Sequence, residues 1–247
     1  MRLFGIIGYP LAHSFSRVYF RNKFDEESIN DADFNVFPIE NISSITDIIN
    51  NTPELSGFSV TIPHKKSIIP YLDQIDETAL KIGAVNCVKV IRDDNKCILK
   101  GYNTDCIGFE ESLLPILKPY HTKALILGTG GASQAVAFVL NKLNIDFIFV
   151  SRTKTADTIT YADLNESILT ERLLIVNTTP LGMYPNIKNY PQLPYQYLNE
   201  KHLLYDLIYN PAETQFLKFG ILNNATVING EKMLHLQAEE AWKIWND

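Results

Sequence analysis

The stretch Ala124-Leu125-Ile126-Leu127-Gly128-Thr129-Gly130-Gly131-Ala132-Ser133 limits the fold of this chain more than any other. A continuous apolar run is what a strand buried on both faces needs. The glycines after it permit a tight turn and a close approach of backbone to a ligand. Ala135, Val136, Val139 and Leu140 then recur at helical spacing, and Phe147-Ile148-Phe149-Val150 reads as the next strand. Strand, glycine turn, helix, strand is the context that a dinucleotide-binding turn requires, with helix N–H groups aimed at phosphate. Gly128, Gly130, Gly131 and Ala132 are therefore candidate cofactor contacts; a merely tight turn is the alternative. At the end of the second strand, where an acid would bind a ribose 2′-hydroxyl, the chain has Ser151-Arg152-Thr153-Lys154. Cations and hydroxyls there favour a 2′-phosphate, so NADP is expected over NAD.

Before this unit lies a second α/β pattern. Arg2 to Ile7 reads as a first buried strand ending in the turn signal Gly8-Tyr9-Pro10. Ser14 or Ser16 can cap the helix that follows, whose apolar face is expected at Phe15, Val18 and Tyr19. Either serine could equally hold a carboxylate at that helix start. A strand near Phe34 to Phe37 and a helix carrying Ile42, Ile45, Ile48 and Ile49 come next. In Gly57-Phe58-Ser59-Val60-Thr61-Ile62-Pro63-His64-Lys65, apolar and polar residues alternate as in a half-buried strand that Pro63 stops. Lys65 would then stand just past a sheet edge, able to move a proton if a carboxylate steadies it; a solvated loop lysine is the plainer reading. Asp76 to Gly83 reads as a short helix, and Ala84 to Val90 as a strand. Arg92 to Lys96 is expected as a hairpin tip, with the return strand ending at Gly101. A helix from about Thr104 to Leu117 leads to the turn Lys118-Pro119-Tyr120-His121.

Beyond the glycine turn, strands are expected at Leu173 to Val176, Leu203 to Leu207 and Thr226 to Asn229. Thr178 follows the first of these, where strand ends overlie a cofactor crevice. Pro211 is expected to open a helix with Phe216 and Leu217 inward, and a final helix to run from about Glu231 to Trp245. Alternating strands and helices imply α/β architecture with mostly parallel sheets.

With 247 residues, 46% hydrophobic and 20% charged, the chain has the composition of a globular protein of one large or two modest domains. A net charge of −6 gives no reason to expect nucleic acid or an anionic membrane as partner. Leu3 to Gly8 is too short for a signal peptide or a membrane span. Cys87, Cys97 and Cys106, odd in number and without a C-x-x-C, fit a reduced cytoplasmic setting better than a disulfide framework. The five histidines lack metal-ligand spacing, and no metal is expected.

The motifs, taken together and in order, resemble the shikimate dehydrogenase family over nearly the whole chain. Gly8 to Ser16 matches G-x-P-x-x-H-S-x-S, with Arg17 where the family usually has proline. Gly57 to Lys65 is similar to the segment ending V-T-x-P-x-K, and Gly83 to Cys87 to G-A-V-N-T, with cysteine replacing threonine. Gly101 to Asp105 matches G-x-N-T-D, and Gly128 to Ser133 resembles G-x-G-G-A-S. Asp206 to Pro211 and Gly230 to Gln237 match two late motifs. The resemblance implies an N-terminal α/β substrate domain, residues 1–102 joined by the C-terminal helix at about 231–247, and a Rossmann-like NADP domain, residues 103–230, with the active site in the cleft between them. It implies NADPH-dependent reduction of 3-dehydroshikimate to shikimate by a monomer or homodimer. By position, Lys65 and Asp105 look like the catalytic pair. Ser14, Ser16 and Thr61, with help from Tyr209, look like carboxylate binders. Asn86, Asp105 and Gln237 look like partners of the ring hydroxyls, and Gly230 and Met233 like the nicotinamide edge. The rivals are a quinate or dual-specificity dehydrogenase and an inactive ligand-binding paralogue; intact Lys65 and Asp105 argue against the latter. One departure stands out. The family usually places a longer helix after its N-R-T segment, whereas here Ser151 to Lys154 runs almost at once into the strand-like Thr158 to Tyr161. The preference for NADP is accordingly expected to be smaller than usual.

Overall fold

The computed structural model describes residues 1–11, 15–93 and 96–247. In chain order, β1 (Arg2–Gly8), α1 (Phe15–Glu26), β2 (Ala32–Pro38), α2 (Ile45–Asn51), β3 (Leu55–Val60), β4 (Gln74–Ile75), α3 (Glu77–Ile82), β5 (Cys87–Asp93) and β6 (Lys96–Tyr102) come first. After them run α4 (Asp105–Leu113), β7 (Lys123–Leu127), α5 (Gly131–Lys142), β8 (Asp146–Ser151), β9 (Thr158–Thr160), α6 (Glu166–Glu171), β10 (Leu174–Asn177), β11 (Leu203–Asp206), α7 (Gln215–Leu222), β12 (Thr226–Ile228) and α8 (Glu231–Asn246). The chain divides into two compact units, one of Met1–Thr104 with Ala238–Asp247 and one of Asp105–Gln237. Among the described residues, no helix is long and apolar enough to cross a membrane.

The sheet of the first unit has, among the described residues, the order β2-β1-β3-β5-β6-β4. β1 pairs in parallel with β2 and β3, and β5 runs antiparallel to β3 and β6. One face packs on α2 through Ile7, Ile45, Ile49, Leu55, Phe58 and Val60. The other carries Phe4, Phe20, Phe34, Ala238, Ala241 and Trp245. Trp245 stacks on Phe4 with ring centroids 5.1 Å apart, and its Nε1–H donates to the Val88 carbonyl at 3.0 Å. Gly57 makes room for this ring: a Cβ there would lie 2.7 Å from the Trp245 Cγ. That contact corrects the expected half-buried strand. β3 is buried on both faces, Ser59 included, because the end of α8 covers the side that alternation assigned to solvent. β3 also ends at Val60, and Ile62 is exposed.

α1 differs from expectation as well. Its buried residues are Ser16, Phe20, Lys23 and Phe24, whereas Val18 is exposed. The helix turns its 16/20/23/24 stripe inward because Phe20 stacks on Phe34 at 4.7 Å. The buried Lys23 is satisfied by Glu27 at 2.6 Å and Glu239 at 2.9 Å, and Tyr19 donates to the same Glu239 carboxylate.

In the second unit the sheet order is β12-β11-β10-β7-β8-β9, every pairing parallel among the described residues. Counting strands from β7, this is the 3-2-1-4-5-6 order of the dinucleotide-binding fold, with its switch point between β7 and β10. β7 is buried from Ala124 to Leu127, as its unbroken apolar run requires. α7 starts at Gln215 rather than Pro211, because Thr214 supplies the cap: its side chain accepts from the Leu217 N–H. α4 stops at Leu113, where Pro115 allows only a single 3-10 turn to follow.

Candidate active site

The first unit gathers Thr61, Lys65 and Asn86 at one sheet edge. Thr61, just past β3, donates its N–H to the Ile7 carbonyl at 2.9 Å, and Tyr9 donates to the Ile62 carbonyl at 3.0 Å, tying the ends of β1 and β3 together. The turn after Pro63 is pinned by His64, a buried residue whose Nε2 lies 2.7 Å from the Ile39 carbonyl and whose Nδ1 lies 3.3 Å from the Ser67 hydroxyl. Lys65 is thereby held half-buried while Lys66 points to solvent. Its carbonyl accepts from Val85 at 2.8 Å, and the neighbouring Asn86 is 3% exposed. Asn86 accepts from the Thr104 N–H at 2.6 Å and donates from Nδ2 to the Thr104 hydroxyl at 3.0 Å. Asn103 donates to the Ala84 carbonyl at 2.9 Å. One hydrogen-bonded run therefore passes from the Lys65 turn through Val85 and Asn86 to Thr104, the residue before Asp105. Asp105 is buried and opens α4, where the helix dipole favours a carboxylate. Ser16 is buried in the first turn of α1. Ser14 lies outside the described residues.

The remaining candidates follow the C-terminal ends of strands of the parallel sheet, except Met233 and Gln237, which lie on α8. Gly128 ends β7 at φ +106°, and a Cβ there would come within 2.8 Å of the Thr178 hydroxyl, so glycine is required on both counts. Thr178, at the end of β10, donates its hydroxyl to the Leu127 carbonyl at 2.6 Å. Gly130 caps α5 without a side-chain bond, and a Cβ on it would meet open space. The first N–H groups of α5, among them those of Gly131 and Ala132, have no partner within the helix, and its first turn carries no acid. This open, positively polarised cradle fits the diphosphate of a dinucleotide. At the end of β8, Ser151 is half-buried and Arg152, Thr153 and Lys154 are exposed, a set that fits a 2′-phosphate. Gly230 donates to the Ile208 carbonyl at 3.0 Å, next to the half-buried Tyr209, whose hydroxyl burial pushes up in pKa. Met233 is buried in the first turns of α8, and Gln237 donates from Nε2 to the Leu234 carbonyl at 2.8 Å.

Three supporting groups escaped the reading of the sequence. His64 and Thr104 lie inside quoted motifs, and their burial beside Lys65 and Asp105 is what gives them weight. The third is Asp206, fully buried at the end of β11. It accepts from Asn177 Nδ2 at 3.0 Å, the Ile208 N–H at 3.1 Å and the Thr214 hydroxyl at 2.6 Å. Asn177 in turn accepts from the Thr179 hydroxyl at 2.7 Å. One carboxylate thus fixes both loops that carry Thr178 and Tyr209. Burial pushes its pKa up to about 6, opposed by the hydrogen bonds from Thr214, Ile208 and Asn177. A surface depression of about 380 Å³ in the first unit, lined by Arg2, Glu54, Ser56 and Arg92 among others, lies at the N-terminal ends of β1 and β3, opposite the strand end that Thr61 follows. Its arginines are engaged, Arg2 by Asp31 and Arg92 by the Ile49 carbonyl. Among the described residues, no group of three His, Cys, Asp or Glu side chains is arranged to hold a metal ion.

A parallel sheet in this order, with an open glycine turn at the first strand end, defines a Rossmann-like dinucleotide-binding class of protein. Residues 6–88 match the family described as the shikimate dehydrogenase substrate binding domain. The chain is 38% identical to the shikimate dehydrogenase (NADP(+)) of Methanococcus aeolicus, over 99% of this chain and 91% of that relative. It superposes with a TM-score of 0.85 on a crystal structure of shikimate dehydrogenase in complex with NADP+, at 35% identity over 99% of this chain and 90% of the other. The shikimate dehydrogenase from Aquifex aeolicus gives 0.86 at 33% identity, over 100% and 92%. The chain belongs to the shikimate dehydrogenase family.

Proposed function

We propose that this chain catalyses the reversible, NADPH-dependent reduction of 3-dehydroshikimate to shikimate, a step toward the aromatic amino acids. The observation that carries this reading is the hydrogen-bonded run from the Lys65 turn through Val85 and Asn86 to Thr104 and so to Asp105, in a member of this family. Unit one supplies Ser14, Ser16, Thr61, Lys65 and Asn86 for the substrate, and unit two supplies Asp105, Tyr209 and Gln237 for the substrate together with the NADP residues. Ser14, Ser16 and Thr61, with Tyr209, bind the carboxylate; Asn86, Asp105 and Gln237 bind the ring hydroxyls. Gly128, Gly130, Gly131 and Ala132 hold the diphosphate, with Thr178 packed beneath the turn. Ser151 to Lys154 hold the 2′-phosphate, and Gly230 and Met233 flank the nicotinamide.

NADPH, when bound, supplies the hydride that the substrate carbonyl carbon accepts. The protein's task is to protonate the oxygen that becomes an alkoxide. The Lys65 ammonium donates that proton, and Asp105 orients the lysine. In the reverse direction Lys65 removes the same proton from the shikimate hydroxyl. A reductive biosynthetic step of this kind suits a reducing compartment, and the burial of Cys87 and Cys106 as thiols supports a cytoplasmic setting. Initial rates with shikimate and with quinate, each with NADP and with NAD, test the reading. Shikimate with NADP is expected to give the highest kcat/KM. A higher value with quinate overturns the substrate assignment, and no turnover with any pair overturns the activity.

A further inference from the structure

The shortened segment after Thr153 ends in a fixed carboxylate beside the cofactor clamp. Asp163 closes a capping box with Thr160: its Oδ2 accepts from the Thr160 N–H and from the Thr160 hydroxyl, each at 2.9 Å. Those bonds, with help from Lys154, hold its carboxyl below the ordinary aspartate range, so it is ionised at neutral pH. The other oxygen, Oδ1, lies 3.5 Å from the Lys154 Nζ. The second cation of the clamp, Arg152, also acts electrostatically on this segment. The Arg152 guanidinium pulls the Tyr161 pKa down against the burial that raises it, which places the two within each other's field. Tyr161 itself packs against the core of this unit. The β9 segment and the turn after it therefore stand where both cations are felt, and they bring a negative charge on a short, tethered side chain.

We infer that Asp163 is a specificity-determining residue that restrains the preference for NADP over NAD. The inference rests on reading Arg152 and Lys154 as the 2′-phosphate clamp. With Lys154 drawn toward Asp163, the clamp presents less net positive charge than its two cations alone. A 2′-phosphate must either share Lys154 with the carboxylate or take it away, and it also feels the carboxylate directly. NAD, with a neutral 2′-hydroxyl, meets neither cost. Because Lys154 and Asp163 are both solvent-accessible, water and salt screen the effect, and a modest change is expected.

Calorimetric titration of NADP⁺ and NAD⁺ into the whole protein tests this, with thermal unfolding of each variant alongside. Asp163→Asn keeps the shape and a side-chain oxygen for the Thr160 N–H while removing the charge. NADP⁺ should then bind about two- to eightfold tighter, and NAD⁺ should be unchanged. Lys154→Ala should abolish most of that gain in the double variant, since the carboxylate acts largely through Lys154. A purely structural capping role predicts instead a lower Tm with both cofactors weakened alike, and that result overturns the inference. Arg152→Ala separates the two levels of the argument. If it weakens NADP⁺ selectively while Asp163→Asn changes nothing, only the role of Asp163 falls. If it weakens both cofactors equally, the clamp is misassigned and the inference falls with it.

Discussion

Replacing Asp206 by asparagine should make the second unit less stable in acid and more stable in mild base. Asp206 is fully buried, with a folded pKa of about 6 raised chiefly by burial. An unfolded aspartate titrates at about 3.9, so the folded chain holds this proton more tightly. The sign follows: the contribution is fully present below about pH 4 and is lost as pH rises through about 6. The gap corresponds to about 3 kcal/mol between those limits. Asparagine keeps an oxygen for Asn177 Nδ2 and the Ile208 N–H, and its amide can donate to the Thr214 hydroxyl. What it loses is an acceptor for the Thr214 proton, about 1 kcal/mol. Asp206→Asn should therefore be about 1 kcal/mol less stable than the parent at pH 4 and about 2 kcal/mol more stable at pH 8. Urea unfolding at a series of pH values measures the difference. Trp242 and Trp245 both belong to the first unit, so tryptophan fluorescence does not report on the second. Far-ultraviolet circular dichroism, or amide exchange at Ile208, is the appropriate signal. A stability difference that stays constant from pH 4 to pH 8 would refute the assignment of a burial-raised pKa to Asp206.

Three other outcomes are expected. Lys65→Ala should lower kcat by about a hundred- to ten-thousandfold while shifting shikimate affinity far less, and the exposed Lys66→Ala should be near neutral; parent-like turnover in the former removes Lys65 from catalysis. Ser16→Ala should mainly raise KM for shikimate, by the equivalent of about 1.5–3 kcal/mol for a hydrogen bond to a carboxylate, whereas a drop in Tm with KM unchanged would identify a helix-start residue only. Trp245→Ala should cost about 3–5 kcal/mol by opening a void over Gly57 and Phe4 and leaving the Val88 carbonyl without its donor, read from urea denaturation of the first unit; a loss below about 1 kcal/mol would mean that this face needs no cover.

The dinucleotide-binding sheet was legible because its signals are local. Ala124 to Leu127 is apolar without interruption, Gly128 needs a positive φ, and the helix pattern begins immediately after. The first unit was less legible where burial comes from far along the chain. Alternation in Phe58 to Ile62 pointed to one wet face, and nothing near it in sequence announces that Trp245 will dry that face. Val18 was placed inward on spacing alone, but the stacking of Phe20 on Phe34 sets the rotation of α1. Pro211 is a good helix opener by type, yet Thr214 has both the cap bond and the tie to Asp206, so the helix waits for it. Among site residues, Lys65, Asn86 and Asp105 could be marked from motif spacing. The hydrogen bonds that hold them, from His64 to Ile39 and from Thr104 to Asn86, are contacts across the sheet that spacing does not encode.

The discontinuous make-up of the first unit bears on how the chain is born. A ribosome delivers Met1–Thr104 before Asp105–Gln237, enough to assemble β1 to β6 and the face that packs on α2. The opposite face, with Phe4, Phe20 and Phe34, must wait for Ala238, Ala241 and Trp245, which are translated only after the whole of Asp105–Gln237. At about 5–20 residues per second, the intervening segment leaves that face without Ala238, Ala241 and Trp245 for several seconds or more. During that interval the nascent sheet exposes a sticky apolar surface, a natural target for a chaperone or for a neighbouring chain on the same message. The second unit, contiguous in sequence, is free of this delay, and maturation of the first is therefore completed by residues that follow the second in the chain.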